Sequence, residues 1–310
     1  SSYGIDPVIN TLRGSFGLNK QGTMNINLQF KDGTEELEFV PATDGYKELL
    51  QYLNKLYAEG LLQQDIFTLE AHEFAAEASK GNYGVLSSID PAELLKLDAY
   101  GSMEVLAGAD GEKLFTAMTN GLGNLGMFVL TDKAENPEAM VRWMDYFYGE
   151  EGSKMFFMGF EGVTYEEDED GNFEYLEEIT DNPDGLNMDQ AISEYLTWPG
   201  GYYPGIVREA YFQGAEAKEN SRINAEKAKP YRIDDDDILP GLNYTVEEND
   251  QISAITTDLQ TYIDEMKAEF ITGKRSFDQW DEYINTLDKM GVDQYLELSQ
   301  KAYERMSDEK

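Results

Sequence analysis

The residue types that most often perform covalent chemistry are scarce in this chain. It contains no cysteine and a single histidine, His72. A Ser-His-Asp site would have to use His72, which stands in the run EAHEFAAE without a recognisable nucleophile motif. Binding of a metal through imidazole is equally unsupported. The sequence therefore predicts neither a catalytic nucleophile nor a metal site.

Carboxylates are abundant, and this abundance weakens each pattern that they form. With 61 Asp and Glu residues, some pair will lie at the separation used by glycoside hydrolases, so no proton donor is singled out. Asp168, Asp170 and Asn172 have the alternate spacing of calcium ligands, but Gly171 precedes the third ligand position instead of following it. A DGN hairpin turn explains this stretch better. The four aspartates at 234–237 are typical of a solvated loop.

Charge and composition exclude several classes of partner. The 61 acidic and 24 basic residues give a net charge of -37. Nucleic acid and anionic membrane surfaces are therefore not expected partners, because binding to phosphate requires the opposite sign. The chain is still 41% hydrophobic, which indicates a folded protein with a heavily solvated face. Its 310 residues are enough for two domains.

The stretch 114–175 contains the clearest signals for local structure. It reads LFTAMTNGLGNLGMFVLTDKAENPEAMVRWMDYFYGEEGSKMFFMGFEGVTYEEDEDGNFEY. The apolar run at 127–130, behind three glycines, predicts a buried strand. Asn136 and Pro137 predict the start of a helix. Four apolar residues then recur at the spacing of one helical face and predict a buried stripe: Met140, Trp143, Met144 and Phe147.

Alternating and helical patterns continue on both sides of this stretch. A β-hairpin is predicted at 24–39 around the turn KDGT, and an amphipathic helix at 45–60. A further helix at 72–80 leads to GNYGVLSS at 81–88, which predicts another buried strand. The chain after Thr245 is predicted to be helical, with Trp280 in the core.

The order and wording of these elements resemble one known family. The stretch 114–175, the phrase GYKELLQYLNKLYAEGLLQQDIFT and the final SFDQWDEYINTLDKMGVDQYLELSQKAYERM are similar to the carboxyl-terminal portion of bacterial extracellular solute-binding proteins of family 1. These are the sugar-binding lipoproteins of ABC transporters. The resemblance implies an α/β, periplasmic-binding-protein-like type II fold with two lobes and a hinge, of which this chain would be a truncated part rich in helices.

The same resemblance implies how the chain is divided and where the protein works. Residues 1–115 would be part of the second lobe, 116–180 would cross back to the first lobe, and 181–310 would hold the cleft loop region and the C-terminal helices. No signal peptide, lipobox or transmembrane run is present in the sequence. We therefore expect a longer parent, lipid-anchored through its N-terminal part on the extracellular face of a bacterial membrane, or periplasmic if the bacterium is Gram-negative.

An aromatic cluster, WPGGYYP at 198–204, is the strongest candidate for ligand contact. Sugars present flat C–H faces and hydroxyls, so their sites need rigid aromatic platforms and a few orienting polar groups. A loop rich in Gly and Pro can hold Trp198, Tyr202 and Tyr203 in a cleft. Polar partners are expected where strands end at the cleft, and the candidates are Ser87, Ser88, Asp90 and Asn120. Glu161 resembles a family position near the lobe crossing, with a role in the hinge or in ligand contact.

The expected function is the capture of an oligosaccharide between two lobes, closure of the lobes, and delivery to ABC transporter permease subunits. No cofactor and no catalysis are expected. Two alternatives stay open: a carbohydrate-active hydrolase with an unrecognised carboxylate pair, and an acidic calcium-binding surface module. If half of the cleft is absent, the isolated chain should bind sugar poorly and expose an apolar surface.

Overall fold

A computed structural model describes residues 4–18, 20, 27–87, 100–109, 111–115, 128–196, 205–213, 219–234 and 237–308. These residues are mainly helical. The helices are α1 (Asp6–Leu12), α2 (Asp44–Ala58), α3 (Ala71–Ala78), α4 (Pro137–Tyr148), α5 (Glu150–Met158), α6 (Glu177–Thr180), α7 (Met188–Ser193), α8 (Glu219–Ala228), α9 (Val246–Thr272), α10 (Trp280–Lys289) and α11 (Val292–Asp308). The strands β1 (Leu28–Phe30) and β2 (Leu37–Phe39) form one antiparallel hairpin, and β3 (Tyr165–Glu167) and β4 (Phe173–Tyr175) form another.

Helix α2 contributes a fully buried leucine face to the first core. Thr43 caps the helix by accepting a hydrogen bond from the Tyr46 N–H at 3.2 Å. Leu49, Leu50 and Leu53 then fall on one face and are fully buried. Burial of each leucine contributes about 1.5–3 kcal/mol to folding. The helix packs against α9, which brings residues far apart in sequence into one core.

The C-terminal helices complete this core. Thr245 and Glu248 form a capping box at the start of α9. Arg305 on α11 donates hydrogen bonds of 3.1 and 2.8 Å to the two oxygens of the Glu248 carboxylate, which ties the last helix to the start of α9. Trp280 is buried, so its predicted place in the core is confirmed.

A largely buried lysine connects α1 to α9. Lys267 Nζ donates to Asp6 at 2.8 Å and to Asp264 at 2.9 Å. Burial by itself would lower the pKa of Lys267, but the hydrogen bonds and negative charges of the two aspartates outweigh it, and the pKa is raised. The charged form of this lysine therefore stabilises the fold.

The second core lies between residues 147 and 212. Phe157 and Met158 at the end of α5 are almost fully buried, as are Ile179 of α6 and Ile192 of α7. Aromatic rings fill the remaining space edge to face; the Phe157 and Phe212 ring centroids, for example, lie 5.5 Å apart at an interplanar angle of 86°. This core carries α5, the element on which the candidate site is built.

The hairpin of β3 and β4 confirms the predicted DGN turn. Tyr165, the first residue of β3, pairs with Tyr175, the last residue of β4. The Asp168 carboxylate accepts hydrogen bonds from the Asn172 side chain at 2.9 Å and from the backbone N–H groups of Asp170 and Asn172, each at 2.8 Å. These bonds, that of the Asn172 side chain first, lower the pKa of Asp168. The carboxylate therefore stabilises the turn.

Three predictions from the sequence are wrong within the described residues. Residues 128–130 form no strand, and Val129 is exposed. Residues 81–87 form no strand either. The apolar stripe of α4 is only partly buried, because Met144 is buried whereas Trp143 is 58% exposed. Such patterns indicate which side chains are suited to burial, but burial also requires a facing surface, which the pattern does not specify.

The other predicted elements agree with the structure where it describes them. The hairpin of β1 and β2 and helices α2 and α3 lie where the sequence placed them. The first core joins buried residues from 5–66 with others from 239–292. The predicted boundaries of the lobe segments at 115/116 and 180/181 stay predictions. Among the helices that the structure describes, none combines the length and hydropathy of a membrane span.

Candidate functional site

Of the residues predicted to contact the ligand, Glu161 lies in the described part of the chain. The others lie outside the described residues: Ser88, Asp90, Asn120, Trp198, Tyr202 and Tyr203. Ser87 is partly buried in an irregular segment. The site can therefore be built from Glu161 and from the residues that hold the chain immediately before and after 197–204.

Glu161 lies in a tightly fixed turn after α5. Gly159 has a φ of 85° and a ψ of -121°, and a Cβ at this position would lie 2.5 Å from Thr164 Oγ1. Glycine meets both constraints without strain. The Thr164 hydroxyl is fully buried; it donates to the Met158 carbonyl at 2.5 Å and accepts from the Phe160 N–H at 2.8 Å. One side chain thus closes the turn that carries Glu161.

The backbone beside Glu161 is paired as well. Glu161 forms an isolated β-bridge with Tyr165, and the Gly162 N–H donates to the Tyr165 carbonyl at 2.8 Å. Tyr165 is buried, and its pKa is raised first by this burial and then by the negative charge of Glu161. Glu161 itself is exposed. Its carboxylate is therefore held on a fixed backbone, where it can accept hydrogen bonds from ligand hydroxyls.

The chain enters segment 197–204 beside this turn. Leu196 Cδ2 lies 3.4 Å from the position that a Cβ of Gly159 would occupy. The absence of a side chain at Gly159 therefore allows Leu196 to pack onto the turn. The Leu196 N–H donates to the Ile192 carbonyl at 3.0 Å, which continues α7 up to the entry point. Leu196, the last described residue before the aromatic segment, thus lies against the turn that carries Glu161.

The chain leaves the same segment along α5. Ser153 is fully buried, and its Oγ donates to the Ile206 carbonyl at 3.1 Å. Further on, the Tyr211 hydroxyl donates to Glu150 Oε1 at 2.7 Å. Burial first, and then this carboxylate, raises the pKa of Tyr211 to about 12. Two side-chain contacts therefore fix residues 206–211 to the first half of α5.

Helix α5 thus holds both ends of the segment that carries the predicted aromatic residues. Ser153 and Gly159 are six positions apart, which corresponds to about 9 Å along a helix axis. Leu196 and Ile206, the residues on either side of the segment that are fixed by these contacts, are thus held at the two ends of α5.

His72 is exposed on α3, outside both cores. No cluster of three or more possible metal ligands occurs in the part of the chain that the structure describes.

Sequence reasoning missed the residues that support the site. Ser153 has no local signal, because its partner Ile206 is 53 residues away in the chain. Thr164 and Gly159 could have been found in the phrase MGFEGVT, where closely spaced glycines precede a threonine and indicate a special turn.

Comparison with known proteins identifies the fold. No protein-family model matches this chain. FusA, the fructooligosaccharide ABC transporter substrate-binding protein of Streptococcus pneumoniae, is 26% identical over 280 residues. A solved structure of FusA in complex with kestose matches 97% of this chain with a TM-score of 0.75 and 24% identity. The chain has the fold of the ABC-transporter solute-binding proteins.

A second solved structure supports the same assignment. The HMO-binding solute-binding protein of Bifidobacterium longum infantis matches 96% of this chain with a TM-score of 0.72 and 18% identity. The predicted periplasmic-binding-protein-like fold and the resemblance to sugar-binding receptors are therefore confirmed. The chain spans about half the length of the curated relative, covering 51% of FusA, and 61% of the chain in the FusA structure.

Proposed function

We propose that the protein containing this chain captures an oligosaccharide and delivers it unchanged to the permease of an ABC importer. The observation that carries the proposal is the match of 97% of the chain to FusA bound to kestose. The relationship to FusA in sequence supports it independently of the structure. The second structural relative is also named for oligosaccharide binding, which favours this ligand class without selecting one sugar.

In this proposal, the aromatic loop and its polar neighbours form the ligand site. Trp198, Tyr202 and Tyr203 stack on the flat faces of the sugar rings. The carboxylate of Glu161 accepts hydrogen bonds from sugar hydroxyls beside the loop entry. Three further residues complete the polar set: Ser88, Asp90 and Asn120. The support is the contact of Leu196 with the turn that carries Glu161 and the hydrogen bond of Ser153 to the Ile206 carbonyl, which hold the chain on either side of residues 197–204.

The proposed cycle needs no covalent step. Ligand enters between two lobes, the lobes close by a hinge movement, and the permease recognises the closed form. A lipid anchor outside these residues would keep the receptor on the extracellular face of the membrane. The chain would contribute the second lobe and the crossing segments, with the boundaries predicted from the sequence.

The test uses the gene product that contains these 310 residues and a panel of oligosaccharides that includes kestose and nystose. Isothermal titration should detect binding of at least one sugar, and chromatography should recover that sugar intact. Trp198→Ala and Glu161→Gln should each weaken binding about tenfold or more, equivalent to about 1.4 kcal/mol. Tyr52→Ala and Glu174→Gln, exposed in other parts of the structure, should not.

The alternatives predict other results. Release of shorter sugars would support a hydrolase and refute a receptor. Stabilisation by calcium alone, without any response to sugars, would support a calcium-binding surface module. Tight binding that is unaffected by both site variants would leave the receptor function standing but refute the proposed site.

A further inference from the structure

Helix α4 has an apolar face that the described residues leave largely uncovered. Met144 on this face is buried and Phe147 is partly buried, but Val141 and Trp143 are 53% and 58% exposed. Met140 and Tyr148 extend the same face and are also exposed. We call these six residues the Trp143 face. In a folded protein, such a face of an amphipathic helix normally lies against other apolar groups.

The opposite side of α4 is polar and exposed to solvent. Glu138, Arg142 and Asp145 lie there and are exposed. The helix therefore has one polar and one apolar side. A surface helix normally turns its apolar side toward the protein interior, so the exposure of this side is unusual. Trp143 contacts the Phe147 ring edge to face, with centroids 5.6 Å apart, yet most of its surface is uncovered. A contiguous exposed patch of this kind marks an interaction surface.

The shape and charge of the surface limit what can cover it. A sugar site is concave, whereas the Trp143 face is the outer side of a helix, with Trp143 at one edge of the face and Val141 at the other. Such a surface suits the apolar side chains of another helix or strand. A second copy of this chain would bring together two bodies that each carry a net charge of -37, and their repulsion opposes association.

The share of FusA that this chain matches indicates what covers the Trp143 face. Almost all of this chain matches FusA, but the matched region is 61% of the FusA chain. About two fifths of that fold therefore has no counterpart in these residues. We propose that the Trp143 face packs against polypeptide of the same gene product that lies outside the 310 residues and corresponds to the unmatched part of FusA. The proposal rests on the fold and does not depend on the proposed ligand.

Photo-crosslinking in the complete gene product tests the proposal directly. Val141→p-benzoylphenylalanine places the reactive group on the Trp143 face, and Arg142→p-benzoylphenylalanine places it on the polar side as a matched control. After irradiation and proteolysis, mass spectrometry should find a crosslink from position 141 to a peptide outside the 310 residues and none from position 142. A crosslink to a peptide within the 310 residues, a crosslink between two copies, or no crosslink at 141 would overturn it. So would a gene product without further polypeptide.

A stability measurement gives a second, independent readout. In the complete gene product, Trp143→Ser should lower Tm by several degrees, because it removes a packed aromatic side chain. Trp143→Phe should retain most of the stability, and Arg142→Ser should change Tm by less than about 1 °C, as expected for an exposed site. A Trp143→Ser variant as stable as the Arg142→Ser control would show that nothing covers the face and would overturn the proposal.

Discussion

Replacement of Thr164 by valine should destabilise the turn that carries Glu161. Valine has nearly the shape of threonine, so the variant creates no cavity and removes one hydroxyl. That hydroxyl donates to the Met158 carbonyl and accepts from the Phe160 N–H. Thr164 and Met158 are fully buried, so water cannot readily replace the lost partner at the Met158 carbonyl.

The magnitude follows from the groups left unpaired. A buried polar group that loses its hydrogen-bond partner costs about 1–3 kcal/mol. Since the Phe160 N–H lies nearer to solvent than the Met158 carbonyl, we expect one full penalty and a smaller second one, or about 2–3 kcal/mol in all. With a urea m-value of about 3 kcal/mol/M, the unfolding midpoint would fall by about 0.7–1 M.

Urea unfolding followed by near-ultraviolet circular dichroism measures this change, because the second core is rich in aromatic rings. The matched control is Thr180→Val, which removes an exposed hydroxyl whose bond to the Leu176 carbonyl is long, at 3.4 Å. Its midpoint should shift by less than about 0.2 M. Equal shifts in the two variants, or no shift in Thr164→Val, would refute the reasoning that the hydroxyl of Thr164 closes the turn.

Three further predictions concern the loop anchor, the buried lysine and the acidic hairpin. Ser153→Ala removes the hydrogen bond to the Ile206 carbonyl, which fixes the chain after the aromatic loop. The affinity of the complete gene product for its oligosaccharide, measured by titration, should therefore fall several-fold. Ser193→Ala, which removes an exposed hydroxyl, should leave the affinity unchanged. Because the pKa of Lys267 is raised, its stabilising effect is fully present below its ordinary pKa of 10.5 and is lost as pH rises through the folded-state value. The difference in stability between wild type and Lys267→Met should therefore be constant from about pH 6 to 9 and shrink above about pH 10.5. At the hairpin, the backbone N–H groups of the turn already donate hydrogen bonds to the Asp168 carboxylate. Addition of about 5 mM calcium should therefore leave the NMR chemical shifts of these amides unchanged.

The sequence predicted best those elements whose signals are local. The start of α2, the start of α9 after Thr245 and the DGN turn after Asp168 each depend on residues within a few positions, and all three agree with the structure. The apolar stripe of α2 was also predicted correctly, since its partner α9 lies in the same chain.

The stripe of α4 shows why the remainder could not be predicted. Its spacing is as regular as that of α2, but Trp143 is exposed, because burial depends on the facing surface as well as on the helix. The same reasoning applies to the site. Glu161 was found through resemblance, whereas Ser153 is identified as a support through its contact with a carbonyl 53 residues away.

The junction between α4 and α5 links the two surfaces for which we propose partners. A Cβ at Gly152 would lie 2.2 Å from the Tyr146 carbonyl oxygen, so the first turn of α5 packs directly on the backbone of α4. Helices in such close backbone contact cannot slide past each other without losing this packing. Ser153, the next residue, holds the exit of the aromatic loop, and Gly159 at the other end of α5 holds its entry. Polypeptide that packs on the Trp143 face of α4 would therefore fix the position of α5, and through α5 the position of the loop proposed to bind sugar.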